Sequence, residues 1–285
     1  MSIRKILAPV RGDGNVRYVI DHAIAIAKRF TAHVDVVYVQ PSLTTPLPFR
    51  IPSPLRDTVM DAILHRDSAE ISNVLSYFDE LCASEKLVVC SDVATAKNNT
   101  SISWSSFTGR QSRMIAKLGR MSDMIVVARP DSTSHLGINT LEESLFSTGK
   151  PVLIAPKKSV QSLGNHIAIA WNGGVAVSRA LTLALPLLRA AQKVSILTVG
   201  SNDANREDTT ALVDYLRWHG VQAGVRIFDC EQQDLGARLM VEAENSGADL
   251  LVMGAYGHNR HKEILMGGVT EHAIWNMNMP IFMAR

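Results

Sequence analysis

Asp249-Leu-Leu-Val-Met-Gly254 runs directly into Ala255-Tyr256-Gly257, and nine residues later the chain reads Gly267-Gly268-Val269-Thr270. The first segment is a short apolar run without polar alternation. That is the mark of a strand buried on both faces, in the middle of a parallel sheet. Gly254 and Gly257 let the backbone turn and approach a ligand closely, and Gly267 opens a helix whose unpaired N–H groups suit a phosphate. Fewer than about one chain in ten of this composition would carry the three-glycine spacing by chance. Its place decides the reading, because open α/β sheets bind ligands where a parallel strand ends and a helix begins.

Working outward, the chain is written twice. Lys5-Ile-Leu-Ala-Pro-Val-Arg11, a turn, a helical pattern to Phe30 and the strand Val34–Val39 return as His166-Ile-Ala-Ile-Ala-Trp-Asn172, Gly173-Gly174, a helical pattern over 176–191 and Val194–Val199. Ser122–Ala128 and Lys150–Ala155 return as Ala248–Gly254 and Met279–Ala284. Two copies of one unit is the economical reading. Short β-branched runs alternate with helical periods in each copy, which predicts parallel strands linked by crossover helices.

In the second copy the pattern predicts strands near 166–171, 193–199, 223–229, 249–254 and 280–285. Helices are predicted near 175–191, 207–220, 234–247 and 269–277, with Pro280 stopping the last. The first copy follows the same order. It adds a Pro-rich stretch at 41–54, a long helical pattern from Arg56 to Glu85, and a Ser/Thr/Asn-rich segment, Lys97 to Thr108, read as a surface loop. The copies divide the chain into units of 1–157 and 165–285.

The composition narrows the function classes. With 285 residues, 46% hydrophobic and 20% charged, the chain has room for two domains. A net charge of +2 without basic blocks argues against nucleic acid. Apolar runs fall well short of the roughly 20 residues that span a bilayer, and no signal-peptide core follows Met1, so a cytoplasmic chain without membrane contact is expected. Cys82, Cys90 and Cys230 are odd in number and lack metal spacing. No Walker loop, nucleophile elbow or H-E-x-x-H is present, so no catalytic residue is assigned.

On these residues the chain resembles the universal stress protein family in its tandem form, over nearly its whole length. The family's G-x2-G-x9-G-[ST] ATP-binding motif aligns with Gly254, Gly257 and Gly267, with Gly268 where Ser or Thr is usual. The resemblance implies an α/β fold of two Rossmann-like domains, each a five-stranded, mainly parallel sheet with helices on both faces. It also implies pairing of the halves through their last strands, and ATP or a related adenine nucleotide, with or without magnesium, across the ends of strands one and four. Carried over residue by residue, the site comprises Ala170, Asn172, Val199, Met253, Gly254, Gly257, Gly267, Gly268, Val269 and Thr270.

Two of these positions depart from the family pattern. Asn172 replaces the usual Asp, and Gly268 lacks a hydroxyl whose contact is worth about 0.5–1.5 kcal/mol, roughly three- to tenfold in affinity. Asn still offers a donor and an acceptor. In the first copy the segment after Ala128 has only Gly137, with Pro130 near its start, and Arg11 stands at the counterpart of Asn172. Proline lacks the N–H a phosphate cradle uses, so the first half is expected not to bind ATP in the family manner.

Other candidates have plain readings beside the sharp ones. Arg260 and Lys262 suit a triphosphate or simply a solvated loop. His258, His261, Glu263 and His272 have ligand-like spacing without a cysteine, and no metal is assigned. Trp171 could stack on a base, but an aromatic at a strand end is more often core or domain interface, and the interface is the reading taken. Asp123 and Asp249 are read as carboxylates bonding neighbouring turns. The expected function is a stress-response module that binds an adenine nucleotide and an unidentified protein partner, arranged as an intrachain pseudo-dimer, with pairing of two chains left open. A slow nucleotide-dependent enzyme and a nucleotide-independent scaffold are the alternatives.

Overall fold

The computed structural model describes residues 2–11, 15–40, 72, 74–132, 137–200, 203–231, 234–256, 268–276 and 278–285, and only the backbone of 203–206. The first half runs β1 (Lys5–Val10), α1 (Val16–Phe30), β2 (His33–Gln40), α2 (74–84), β3 (Val88–Val89), α3 (Val93–Ala96), β4 (Ser101–Thr108), α4 (Gln111–Gly119), β5 (Met124–Ala128), α5 (Ile138–Ser147) and β6 (Val152–Ala155). The second runs β7 (His166–Ala170), α6 (Val175–Ala190), β8 (Lys193–Val199), α7 (Asp203–Trp218), β9 (Ala223–Phe228), α8 (Leu235–Asn245), β10 (Leu250–Gly254), α9 (Gly268–Asn276) and β11 (Ile281–Ala284).

All eleven strands form one sheet, ordered β3-β4-β2-β1-β5-β6-β11-β10-β7-β8-β9. Both halves share one five-strand order, β4-β2-β1-β5-β6 in the first and β9-β8-β7-β10-β11 in the second, and the first half departs from the expected five strands by the added two-residue β3 at its edge. The described pairings within each half are parallel. Where the halves meet, β6 and β11 run antiparallel, with Ile154 opposite Ile281 and Leu153 opposite Phe282.

Apolar clusters fill both faces. On one, α1, α6 and α7 contribute Ile20, Leu181, Leu187 and Leu216 over Ile6, Ile167 and Val252. On the other, α5, α8 and α9 contribute Leu141, Leu239 and Ile274 over Leu7, Ala168 and Met253. Phe282, in the strand that joins the halves, is fully buried, and a side chain of that size stabilises the fold by about 1.5–3 kcal/mol through burial alone. Arg29 adds a polar tie on the α1 side: its Nη1 donates to Asn165 Oδ1 at 2.7 Å and its Nη2 to the Ala190 carbonyl, at the last turn of α6. A cation there also complements the helix dipole.

Both halves fix the entry to their first strand with the same device. Asp123 Oδ2 accepts from the Arg4 and Lys5 N–H groups at 2.7 and 2.9 Å. The Asp249 carboxylate accepts from the N–H groups of Gly164, Asn165 and His166 at 2.9–3.2 Å. The turn-bonding role expected of the two aspartates is the one they have.

The predicted loop at 97–108 is a correction. Residues 101–108 are β4, paired with β2 along its whole length from His33–Ser101 to Gln40–Thr108. Serine and threonine are weak strand signals alone, but Ile102 is fully buried here, while Ser101 and Ser103 bond across to His33 and Asp35. Neighbouring strands decided what local preference did not. The Pro-rich stretch and most of the helical pattern predicted at 56–85 lie outside the described residues, which show its end as α2. The predicted helix at 207–220 begins earlier, at Asp203.

Candidate functional site

In the second half, β7 leads into α6 on one face of the sheet and β10 leads into α9 on the other. Neighbouring strands whose connections depart in opposite directions leave a crevice between their carboxyl ends. Ala170, Val199 and Met253 line that end from β7, β8 and β10 and share one apolar cluster with Tyr256 and Val269. Register explains the convergence: Ala170 lies opposite Leu197, two residues before Val199, and Val252 lies opposite Ile169. In α9, Gly268 is exposed, Val269 half-buried and Thr270 buried.

Gly254 is set by packing. A Cβ there would run into the Val177 backbone nitrogen and lie 2.7 Å from the Ala176 carbonyl carbon. The first turn of α6 thus rests directly on the end of β10, an approach only glycine allows. Asn172 is exposed and turns back on its own loop, its Oδ1 accepting from the Gly174 N–H at 3.0 Å. Gly173 between them takes φ +69°. This Asx turn occupies an acceptor of Asn172 and leaves its amide donor for another partner.

Asp208 was not among the predicted residues. Its Oδ2 lies 3.1 Å from where a Cβ on Gly173 would stand, so α7 sets a carboxylate against the turn that holds Asn172. Nothing in the sequence around Asp208 marks it, because it reads as one more polar position of an amphipathic helix.

Trp171 packs with the α6-side cluster, the face opposite Ala170 and Val199, and its Nε1 is buried without a hydrogen-bond partner among the described residues. The ring thus packs away from the cluster that holds Ala170, Val199 and Met253. His272 lies over Gly236 of α8, its Cβ 2.8 Å from where a Cβ on that glycine would be, and so serves α8–α9 packing. Gly257, Gly267, His258, Arg260, His261, Lys262 and Glu263 lie outside the described residues.

The corresponding place in the first half is narrow. Pro9, Val10, Arg11, Asn15, Ala128, Gly137 and Thr140 surround a cavity of about 10 Å³, room for about one water. Arg11 Nη1 reaches across it to Thr140 Oγ1 at 3.4 Å.

At the opposite end of the first-half strands, His33 Nδ1 meets Ser101 Oγ at 2.8 Å, its Nε2 meets Asp35 Oδ1 at 2.9 Å, and Lys5 Nζ lies 2.7 Å from Asp35 Oδ2. The set resembles a serine nucleophile with its base and acid, but the hydroxyls are sealed, Ser101 being 1% exposed and Ser103 7%. Burial pushes the Asp35 carboxyl up. Hydrogen bonds from His33, Lys5 and Ser103, with the Lys5 charge, outweigh it and hold the group well below the usual carboxylate range. The cluster is a structural polar rim.

Among the described residues, no helix is long and apolar enough to cross a membrane. A model of the Universal stress protein family matches residues 222–285, from the start of β9 through the glycine-containing segment to β11. Universal stress protein Slr1230 of Synechocystis is 26% identical over 175 residues, covering 57% of this chain and 58% of that protein. Universal stress protein MJ0577 of Methanocaldococcus jannaschii is 42% identical over 43 residues, 15% of this chain and 26% of that protein. The chain thus spans little more than half, and about a quarter, of these curated relatives. A universal stress protein structure from Archaeoglobus fulgidus superposes with a TM-score of 0.69 at 16% identity, covering 99% of this chain and 98% of that one. That likeness is one of fold.

Proposed function

We propose that this chain, a member of the universal stress protein family, holds an adenine nucleotide in its second half, at the carboxyl ends of β7, β8 and β10, and acts in stress response as a nucleotide-regulated binding module. The observation that carries the reading is the coincidence of the three-glycine spacing with the crevice where β7 and β10 send their helices to opposite faces. Ala170, Val199 and Met253 supply an apolar wall for a base. Gly254 and Gly257 let the backbone pass close to the ligand, and Gly267, Gly268, Val269 and Thr270 bring the start of α9, with its free N–H groups, toward the phosphates. Asn172 and Asp208 supply polar contacts from the other rim, and Asp208 is a ready ligand for magnesium carried in with the nucleotide.

Residues 1–157 and 165–285 act as two units in this reading, one structural and one ligand-binding. Binding without efficient hydrolysis is the simpler activity, since the sequence offers no evident magnesium-binding acid pair or water-positioning residue. Bound nucleotide biases the conformations of α9 and the segment before it, and so alters a surface offered to a protein partner. A nucleotide-independent scaffold is the second reading, favoured by the bare Gly268 and by the Asn172 carbonyl being engaged within its own turn.

Mass spectrometry of small molecules released from gently purified protein separates the two. Adenine nucleotide in stoichiometric amount supports the binding module. A protein that emerges empty and gains no thermal stability from millimolar ATP is the scaffold, because a ligand at 100 times its dissociation constant adds about 2.7 kcal/mol to the fold that binds it.

A further inference from the structure

Phe146 of the first half meets the edge of the second half's crevice. Phe146, near the end of α5, lies with its ring centroid 5.4 Å from that of Tyr256, the rings tilted by 35°. The Arg285 guanidinium sits 4.7 Å from the centroid of the same Phe146 ring, a cation–π contact. Tyr256 is the second residue after β10, and it holds φ +54°, the left-handed region. For a bulky residue that conformation is unfavourable and persists only where the surroundings impose it. The surroundings are identifiable: Phe146 and Tyr256 both pack on the α9-side cluster, and the charges of Glu142 on α5 and Glu271 on α9 act on the Tyr256 hydroxyl. Burial first, then those two charges, pushes its hydroxyl up to about 12, so it stays a neutral phenol at physiological pH.

We propose that Phe146 is a positioning residue for the nucleotide site of the other half: it holds Tyr256 in the left-handed conformation and so fixes the direction in which the chain leaves β10 beside the bound nucleotide. The inference rests on the functional reading above and adds to it a role for the half that lacks the three-glycine spacing. That half orients a strand end it does not own, and a change in α5 reaches the second half through the Phe146–Tyr256 contact. Phe146 touches no nucleotide in this account and acts only through Tyr256.

The test compares wild type, Phe146→Ala and the double variant Phe146→Ala/Tyr256→Gly, with Phe146→Leu used if the alanine chain does not fold. The first readout needs no ligand: amide exchange at Tyr256 should quicken roughly tenfold in Phe146→Ala. The second is ATP affinity by calorimetry. It should fall roughly tenfold in Phe146→Ala and return to within about twofold of wild type in the double variant, because glycine adopts the left-handed region without a clasp. Unchanged exchange, or an affinity that glycine does not restore, overturns the proposal. A merely structural contact gives the second pattern, since removing another ring cannot repair it. Wild type that binds no ATP removes the functional reading alone, and the exchange comparison then decides by itself whether Phe146 holds Tyr256.

Discussion

The two halves share a strand order and differ at one end of it. After β1, five residues (11–15) precede α1; after β7, only four (171–174) precede α6. The shorter connection brings Ala176 and Val177 onto Gly254, where the first half has Ala128 with a Cβ. After β5, eight residues (129–136) lead to Gly137, whereas twelve (255–266) lead from Gly254 to Gly267. The first half sets Arg11 against Thr140 beside a cavity of about one water, and the second sets an Asx turn and a glycine at its rim. One strand order thus carries two different sets of connections, and the three-glycine spacing belongs to only one of them.

The comparison can be broken at its base. Phe282→Ala removes a fully buried ring from the strand that joins the halves, at a cost of about 3–5 kcal/mol. If the sheet is one cooperative unit, urea unfolding followed by probes in each half shows one transition moved to lower denaturant in both. Two transitions, with only the second-half probe affected, would show that the halves are stable apart.

Gly254→Ala comes next. It recreates the first half's Ala128 where α6 leaves no space, and overpacking of this kind costs about 1–3 kcal/mol. The reciprocal Ala128→Gly, which only loosens the backbone, should cost about 0.5–1 kcal/mol. Equal effects, measured by thermal melting, would mean that the shorter connection does not distinguish the halves.

A smaller effect tests the polar rim of the first half. Asp35, whose counterpart in the repeat is Ser195, ionises more readily in the folded chain than in the unfolded one. Its contribution is therefore fully present above the unfolded carboxylate value near 4 and is lost as pH falls toward its depressed folded value. Asp35→Asn should cost about 1–2 kcal/mol at pH 7, and the gap to wild type should shrink as pH is lowered below about 4. A gap independent of pH would mean that the charge of Asp35 contributes nothing.

The smallest change should sharpen the site. Gly268→Ser restores a hydroxyl at an exposed first-turn position and is expected to tighten ATP binding about three- to tenfold. A titration showing no gain would place the phosphates away from Gly268.

Much of this architecture was legible because buried parallel strands announce themselves. The apolar runs at 166–171, 193–199 and 249–254 are β7, β8 and β10 within a residue or so, since burial on both faces leaves little choice of residue. β4 was not legible, because its Ser-rich sequence becomes a strand only through partners distant in sequence, His33 and Asp35 among them. At the site, the position of Gly254 was readable, but its helix-packing reason was not, for it depends on how soon α6 begins after β7. Asp208 and Phe146 were invisible for the same cause: neither lies near the glycine motif in the chain, and each reaches the crevice only through the packing of a helix.

The central claim is that one half binds nucleotide and the other does not, and calorimetric titration of ATP into wild type and Gly257→Val tests it most directly. The expected result is one site per chain in wild type and binding weakened more than about tenfold in the variant, since a branched side chain would occupy the space through which the backbone is proposed to approach the ligand. Two equivalent sites per chain, or binding that Gly257→Val leaves untouched, would contradict it.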